Sequence, residues 1–327
     1  MMIDRFHRKH DYLRISLTDR CNLRCTYCMP DEDFHFMDRS HLMQAHEIES
    51  LAKSFVENGV TKIRLTGGEP LARPDFADIL QRLSTLGTQL TITTNAVLLH
   101  RYVDVLQRAG VQQLNISLDT LSADKFMLLT RRDKFHQTKE NIQTALHKGF
   151  EVKINMVVMR GINDHEVLDF IAWTKHEKIE VRFIEFMPFD GNHWESEKVV
   201  TRKALLDVIQ TVHHVVPLEN APHATSTAFK VPGFTGSFAI ISTMSHPFCG
   251  DCNRMRLTAD GKMKNCLFSK DEVDLLTALR NGLPITPLIH QSIANKAEKL
   301  GGQFGNTSFE HLKSTEIINR SMISIGG

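Results

Sequence analysis

The sequence predicts an α/β protein built on an open parallel sheet curved into a partial (β/α)6 barrel. Three observations carry this prediction. A short strand pattern followed by an amphipathic helix pattern recurs between residues 12 and 187. Six such units in succession require parallel strands joined by right-handed crossovers. Six units also fall short of the eight that close a barrel.

The strand patterns lie at 12–18, 61–66, 89–94, 113–119, 151–159 and 181–187. Ile48, Leu51, Ala52, Phe55 and Val56 form the first helical stripe, stopped by Gly59. Phe76, Ile79, Leu80 and Leu83 form a second, stopped by Gly87. Ile142, Ala145 and Leu146 form a third before Gly149, and Val167, Leu168 and Ile171 a fourth. This spacing of three and four residues puts each set on one helix face.

Strands covered on both faces usually read as continuous apolar runs. Here they alternate. Leu13 and Ile15 oppose Arg14, Ile63 and Leu65 oppose Arg64, and Leu90 and Ile92 oppose Thr91 and Thr93. Leu114 and Ile116 oppose Asn115 and Ser117, and Val152 and Ile154 oppose Lys153 and Asn155. Helices must cover the apolar face, so the polar face lines the inside of the curve. Arg14, Arg64 and Lys153 on that wall require an anionic ligand or paired carboxylates, for which Asp119 and Glu185 are candidates.

After about residue 190 the rhythm stops. Turn-prone stretches occupy 220–226 and 232–237, and a helical pattern follows near 271–281. The division read from this is a barrel domain over 1–190 and a smaller domain over 191–327.

The 327 residues are 42% hydrophobic and 24% charged, ordinary values for a globular chain. A formal net charge of +1 gives no global field toward nucleic acid or an anionic membrane. No apolar run has membrane-spanning length, and residues 1–11 contain no apolar signal-like stretch. A cytoplasmic protein is expected. The six cysteines fall into two groups of three at ligand-like spacings, which favours metal binding over disulfides.

Cys21, Cys25 and Cys28 sit just past the first strand, where barrels place their active sites. Structural zinc wants four protein ligands, and no fourth Cys or His stands at ligand spacing. Three thiolates on a tight loop suit three irons of a cubane cluster and leave the fourth open. The second group, Cys249, Cys252 and Cys266, is less decided. His246 could complete a Cys3His zinc site there. The following Arg254-Met255-Arg256 places both arginines on one strand face, a pair of forks suited to phosphate.

The first cysteine motif, joined one βα unit later by Gly67-Gly68-Glu69-Pro70, resembles the radical S-adenosylmethionine (SAM) superfamily. The two glycines allow close backbone approach, and Glu69 can pair with an ammonium group. The resemblance implies a TIM-like partial barrel and SAM bound at the open iron. It further implies SAM contacts at Tyr27, Gly68, Glu69, Ser117 and Met187. In that superfamily, one-electron cleavage of SAM gives a 5′-deoxyadenosyl radical that abstracts a substrate hydrogen.

The wider set resembles the GTP 3′,8-cyclase family of molybdenum cofactor biosynthesis. It includes TTN at 93–95, SLD at 117–119, RFIEFM at 182–187, the second triad with NRMRL, and a terminal Gly-Gly. The resemblance implies two [4Fe-4S] clusters and GTP bound by Arg14, Arg64, Thr93, Lys153, Arg254, Met255 and Arg256. It implies that the second cluster meets the guanine ring, and that Gly326 and Gly327 form a tail reaching the site. Arg254 and Arg256 would also act in catalysis. The implied reaction abstracts the ribose 3′ hydrogen atom and joins the resulting carbon radical to C8, giving (8S)-3′,8-cyclo-7,8-dihydro-GTP after one-electron reduction and protonation. A cyclic pyranopterin monophosphate synthase would act downstream. No motif names the electron donor, and a homodimer is compatible with the chain. Ala96 departs from the family pattern, where glycine is expected in many members.

Two rival readings define the tests. A radical SAM enzyme acting on a peptide would give no reason for a cationic inner wall, and one acting on a peptide or RNA would cleave SAM in response to that substrate and not to GTP. A sensor with two zinc sites would contain zinc in place of iron and sulfide.

Overall fold

The computed structural model describes residues 1–31, 34–304, 307–313 and 317–326. The six strands read from alternation are present: β1 (Tyr12–Ser16), β2 (Lys62–Thr66), β3 (Gln89–Thr94), β4 (Gln113–Ser117), β5 (Glu151–Val158) and β6 (Ile179–Glu185). They pair in chain order and all in parallel. The crossovers carry α1 (Ala45–Glu57), α2 (Phe76–Ser84), α3 (Val103–Arg108), α4 (Ala123–Thr130), α5 (Phe135–His147) and α6 (Val167–Trp173). The four apolar stripes lie on α1, α2, α5 and α6. The short α3 and α4 have too few turns to show a stripe. Leu13, Ile15, Ile63, Ile92, Leu114 and Ile154 are fully buried under the helices.

The later residues do not stand apart from this sheet. They form α7 (Arg202–Gln210), β7 (Val216–Pro217), β8 (Thr227–Lys230), β9 (Ser237–Ile241), β10 (Arg254–Leu257), β11 (Lys262–Lys264), β12 (Val273–Asp274), α8 (Leu275–Arg280), α9 (Thr286–Ala294) and α10 (Met322–Ile325). The strand order is β12-β11-β10-β1-β2-β3-β4-β5-β6-β9-β8-β7. β9 runs parallel to β6, and β10 parallel to β1. The parallel core is thus longer at both edges than the βα rhythm indicated. The sequence conceals this because the β7–β8 hairpin precedes β9, and β10 follows a cysteine loop. Antiparallel β8 and β11 cap the two flanks, and the sheet stays open.

Two anchors fasten the later residues to the core. Phe238 on β9 lies between Phe183 on β6 and Phe229 on β8, with ring centroids 6.3 and 5.4 Å away. Glu185, at the end of β6, accepts from the Arg202 N–H at 3.0 Å. It also accepts from the Met244 and Ser245 N–H groups, both at 2.8 Å. Glu185 therefore caps α7 and fixes the segment leading to the second triad, and does not pair with the inner-wall cations.

A third anchor is the N-terminal hook, closed by an antiparallel bridge between Ile3 and Lys9. Asp4 accepts from the backbone N–H groups of Phe6 and Arg8, and from the Arg8 and His10 side chains. Arg8 reaches across to the Cys249 and Ala297 carbonyls, both at 2.8 Å. Among the described residues, no helix is long and apolar enough to cross a membrane.

Two predictions follow from these anchors. Phe238→Ala should lower unfolding free energy by about 3–5 kcal/mol, read as a reduced urea midpoint. His10 is held down to about 4 by burial and then by the Lys296 charge. Its ordinary value is 6.5, so between these pH values the unfolded chain takes up a proton that the folded chain refuses. Stability should fall by up to about 3 kcal/mol as pH drops through that window. A His10→Gln variant should show a flatter urea midpoint over the same range.

Candidate active site

The loop after β1 holds Cys21, Cys25 and Cys28 at the C-terminal ends of the strands. The Cys28 and Met29 N–H groups turn back onto the Cys25 carbonyl at 3.0 and 2.8 Å. Arg24 and Thr26 donate backbone bonds to the carbonyls of Thr130 and Leu129, tying the loop to α4. All three thiols face one cavity. Burial, then Glu69, pushes the Cys21 thiol up to about 12. Burial, then Cys28 and Cys21, raises Cys25, and burial, then Cys21, raises Cys28. Three sulfurs placed so close can ionise together only against a cationic partner, which the irons of a cluster would supply. Among the described residues, no three His, Cys, Asp or Glu side chains converge on a single metal ion.

The Gly67-Gly68-Glu69 segment packs against this loop. A Cβ on Gly68 would fall 2.5 Å from the Arg20 carbonyl oxygen, and one on Gly67 2.7 Å from that of Thr18. The glycines therefore permit contact with the cysteine loop itself. Glu69 is buried, and burial pushes its carboxyl up to about 7. It accepts from Leu71 N–H at 3.0 Å, Thr94 Oγ1 at 2.7 Å and Asn95 N–H at 2.7 Å. Its carboxylate thus already ties β2 to β3, beside whatever cation it meets. The next residue but one, Ala96, has φ +60° and is fully buried. The turn that favours glycine is adopted here by alanine at some backbone strain.

Tyr27, Gly68, Glu69, Thr93, Ser117 and Met187 all line this first cavity. Tyr27 donates to Asp119 at 2.5 Å, and Asp119 also accepts from Val157 N–H at 2.8 Å. Burial pushes the Asp119 carboxyl up to about 6. Asp119, like Glu185, is therefore no partner for the inner-wall arginines.

A second cavity holds Cys249, Cys252 and Cys266 with Arg14, Arg64, Arg182, Arg254 and Arg256. His246 lines an outer groove instead, so the Cys3His alternative gains no support. Burial pushes the Cys252 thiol up, but Arg254 and Lys296 outweigh it and hold it at about 6. The registers Arg14↔Arg256 and Arg14↔Arg64 place three guanidiniums side by side on β10, β1 and β2. Burial, then Arg256 and Arg64, depresses Arg14; burial brings Arg256 down to about 10. Arg64 and Arg256 donate to Thr91 and to the Gly326 carbonyl, and Arg254 to the His223 carbonyl besides its contact with Cys252; among the described residues none of the three pairs with a carboxylate. Arg14 Nε and the Asn115 and Asn155 side-chain oxygens are buried without partners, as is Thr93 Oγ1 in the first cavity. The crowded cations and Arg14 Nε fit the anionic part of a ligand, and the two amide oxygens fit hydrogen-bond donors on it.

Two expected residues are placed differently. Alternation turns the Met255 side chain to the covered face, where it is fully buried in the core. Lys153 lines neither cavity and pairs with Glu151 at 2.9 Å and Glu180 at 3.8 Å. Arg182, which the sequence reading passed over, lines the second cavity and pairs with Glu180. Its alternation with Val181 and Phe183 on β6 was the available signal.

Asn155, Ile184, Met187 and Met322 line both cavities, so the two triads look into adjoining spaces. Met322 belongs to α10, which leads to Gly326 beside β1, β2 and β10. The Gly326 carbonyl accepts from Arg256 at 2.5 Å. A Cβ on Gly326, at φ +87°, would fall 2.4 Å from Thr66 Oγ1. Gly327 lies outside the described residues.

Comparison with known proteins identifies the family. Residues 15–174 match the radical SAM superfamily, and residues 179–301 match the Molybdenum Cofactor Synthesis C family. "Molybdenum cofactor biosynthesis protein 1" of Mus musculus is 46% identical across 99% of this chain, which covers 51% of that protein. The chain thus spans about half the length of the first curated relatives it matches. "GTP 3′,8-cyclase, mitochondrial" of Arabidopsis thaliana is 43% identical over 100% of this chain and 84% of its own length. "GTP 3′,8-cyclase" of Rhodopirellula baltica is 42% identical over 89% and 83%. The solved structure of Streptococcus suis SuiB bound to S-adenosylmethionine superposes with TM-score 0.59 at 17% identity, over 97% of this chain and 78% of its own. That likeness concerns the fold. Sequence, cysteine triads and relatives converge, and the chain belongs to the GTP 3′,8-cyclase family of the radical SAM superfamily.

Proposed function

We propose that this chain converts GTP to (8S)-3′,8-cyclo-7,8-dihydroguanosine 5′-triphosphate. The observation that carries the reading is the adjoining pair of three-cysteine cavities, one of them walled by Arg14, Arg64, Arg254 and Arg256, which meet no carboxylate among the described residues. The first triad would hold a [4Fe-4S] cluster with SAM; Tyr27, Gly68, Glu69, Ser117 and Met187 line its space. The second triad would hold another [4Fe-4S] cluster. When bound, the first cluster and SAM supply the hydrogen abstraction that an unactivated ribose carbon demands.

The chain's own residues do the rest. Arg14, Arg64, Arg254 and Arg256 offer a fixed anion site whose charges need no reorganisation when a triphosphate enters. Arg254 and Arg256 lie nearest the second triad along the chain, which suits them to act on the base as well as on phosphate. Thr93 lies in the adjoining space with an unmatched hydroxyl. Lys153 would join the phosphate site only by leaving Glu151 and Glu180. Met187 and Met322 between the cavities exclude water from the reacting carbon. In this reading residues 1–190 carry SAM and residues 191–327 carry the second cluster. A cytoplasmic homodimer passing its product to a cyclic pyranopterin monophosphate synthase completes the proposal.

Anaerobic reconstitution should load about eight irons per chain, as two cubanes require, with negligible zinc. Incubation with SAM, a reductant and GTP should then release the cyclised nucleotide, identified by mass. Zinc in place of iron, or SAM cleavage that needs peptide or RNA and ignores GTP, would refute the reading. Arg254→Ala and Arg256→Ala should each lower kcat/KM for GTP about tenfold to a hundredfold, the size expected for a lost charge-assisted bond. Iron content and SAM cleavage should persist, and normal GTP turnover in both variants would remove the phosphate assignment.

A further inference from the structure

Lys296 follows α9 and is 1% exposed. It lines neither cavity, so it cannot touch a substrate there. Its Nζ donates to the Arg254 carbonyl at 2.9 Å and stands 3.4 Å from His10 Nδ1 and 3.6 Å from Cys252 Sγ. These acceptors match its three N–H groups, and none is a carboxylate. A buried ammonium is costly unless an opposite charge offsets it. The cysteine sulfur is the group among these partners able to carry that charge.

The surroundings hold this nitrogen in place. His10 Nε2 stands 3.0 Å from Asp4 Oδ2 and donates to it, which leaves Nδ1 as the acceptor facing Lys296. Asp4 is itself fixed by Arg8, whose guanidinium grips the carbonyls of Cys249, Ala297 and Glu298. One arm of the chain therefore clamps both the cysteine loop and the loop that bears Lys296.

We propose that Lys296 is a positioning residue for the second cluster, its ammonium fixed against Cys252 Sγ so that it offsets ligand charge and raises the cluster's reduction potential. A donor to a ligand sulfur favours the reduced, more negative state of a cluster. The inference rests on the reading of Cys249, Cys252 and Cys266 as cluster ligands. Lys296 acts through Cys252 and is distinct from Arg254, which faces the second cavity.

The test is an anaerobic redox titration of the full reconstituted chain followed by electron paramagnetic resonance, with the first cluster as internal reference. Lys296→Met should make reduction of the second cluster about tenfold less favourable, a fall of about 59 mV for a one-electron couple. Lys296→Arg should restore most of the fall, and the first cluster should not move. An unchanged potential in Lys296→Met, or an equal fall in Lys296→Arg, overturns the proposal. If Lys296→Met loses the second cluster's iron, Lys296→Gln is read in its place by the same criteria. Loss from Met and Gln with retention in Arg supports a charge requirement, whereas loss from all three indicates packing and overturns it. About four irons in the wild-type chain would instead overturn the cluster reading, and this inference with it.

Discussion

The pairing of β10 with β1 is the constraint on which the site depends. β1 opens the barrel and leads into the first cysteine loop; β10 leaves the second cysteine loop. Their parallel register sets Tyr12 beside Arg254 and Arg14 beside Arg256. Because side chains alternate at every residue, a slip of one position would turn Met255 inward and both arginines into the core. The register thus decides at once that two arginines face the cavity and that the two triads adjoin.

Neighbouring strands lie about 4.8 Å apart, so Arg256, Arg14 and Arg64 crowd one another across three strands. Like charges directly opposite are unfavourable in a sheet. Elsewhere on the same wall the chain relieves such crowding: Glu180 serves both Lys153 and Arg182, and Glu151 serves Lys153. Relief is withheld where the second triad opens. A polyanion in the cavity would relieve the crowding there.

The conspicuous carboxylates work on the frame. Glu69 joins the ends of β2 and β3, Asp119 holds Tyr27, and Glu185 caps α7 while fixing the segment before the second triad. Each satisfies backbone or hydroxyl donors that burial would otherwise leave unpaired. Gly67 and Gly68 belong to the same frame, since their missing Cβ atoms let the β2 end lie on the cysteine loop. The hook at Asp4 and Arg8 does for the second loop what this packing does for the first.

Local features can be read directly from adjacent residues. Alternation at Leu13, Arg14 and Ile15 and its counterparts identified six strands and their inner faces, and the spacing within each cysteine triad marked both loops. These signals are legible because period and spacing are properties of adjacent residues. Pairing between distant segments leaves no such period. The two added parallel strands, β9 and β10, the exclusion of Met255, the diversion of Lys153 to Glu151 and Glu180, and the entry of Arg182 were decided by tertiary structure. So was the burial of Lys296 against Cys252, which stand 44 positions apart in the chain. A strand's polar face can be read from its own residues, but which charges meet across that face depends on register, and register is settled only when the sheet assembles.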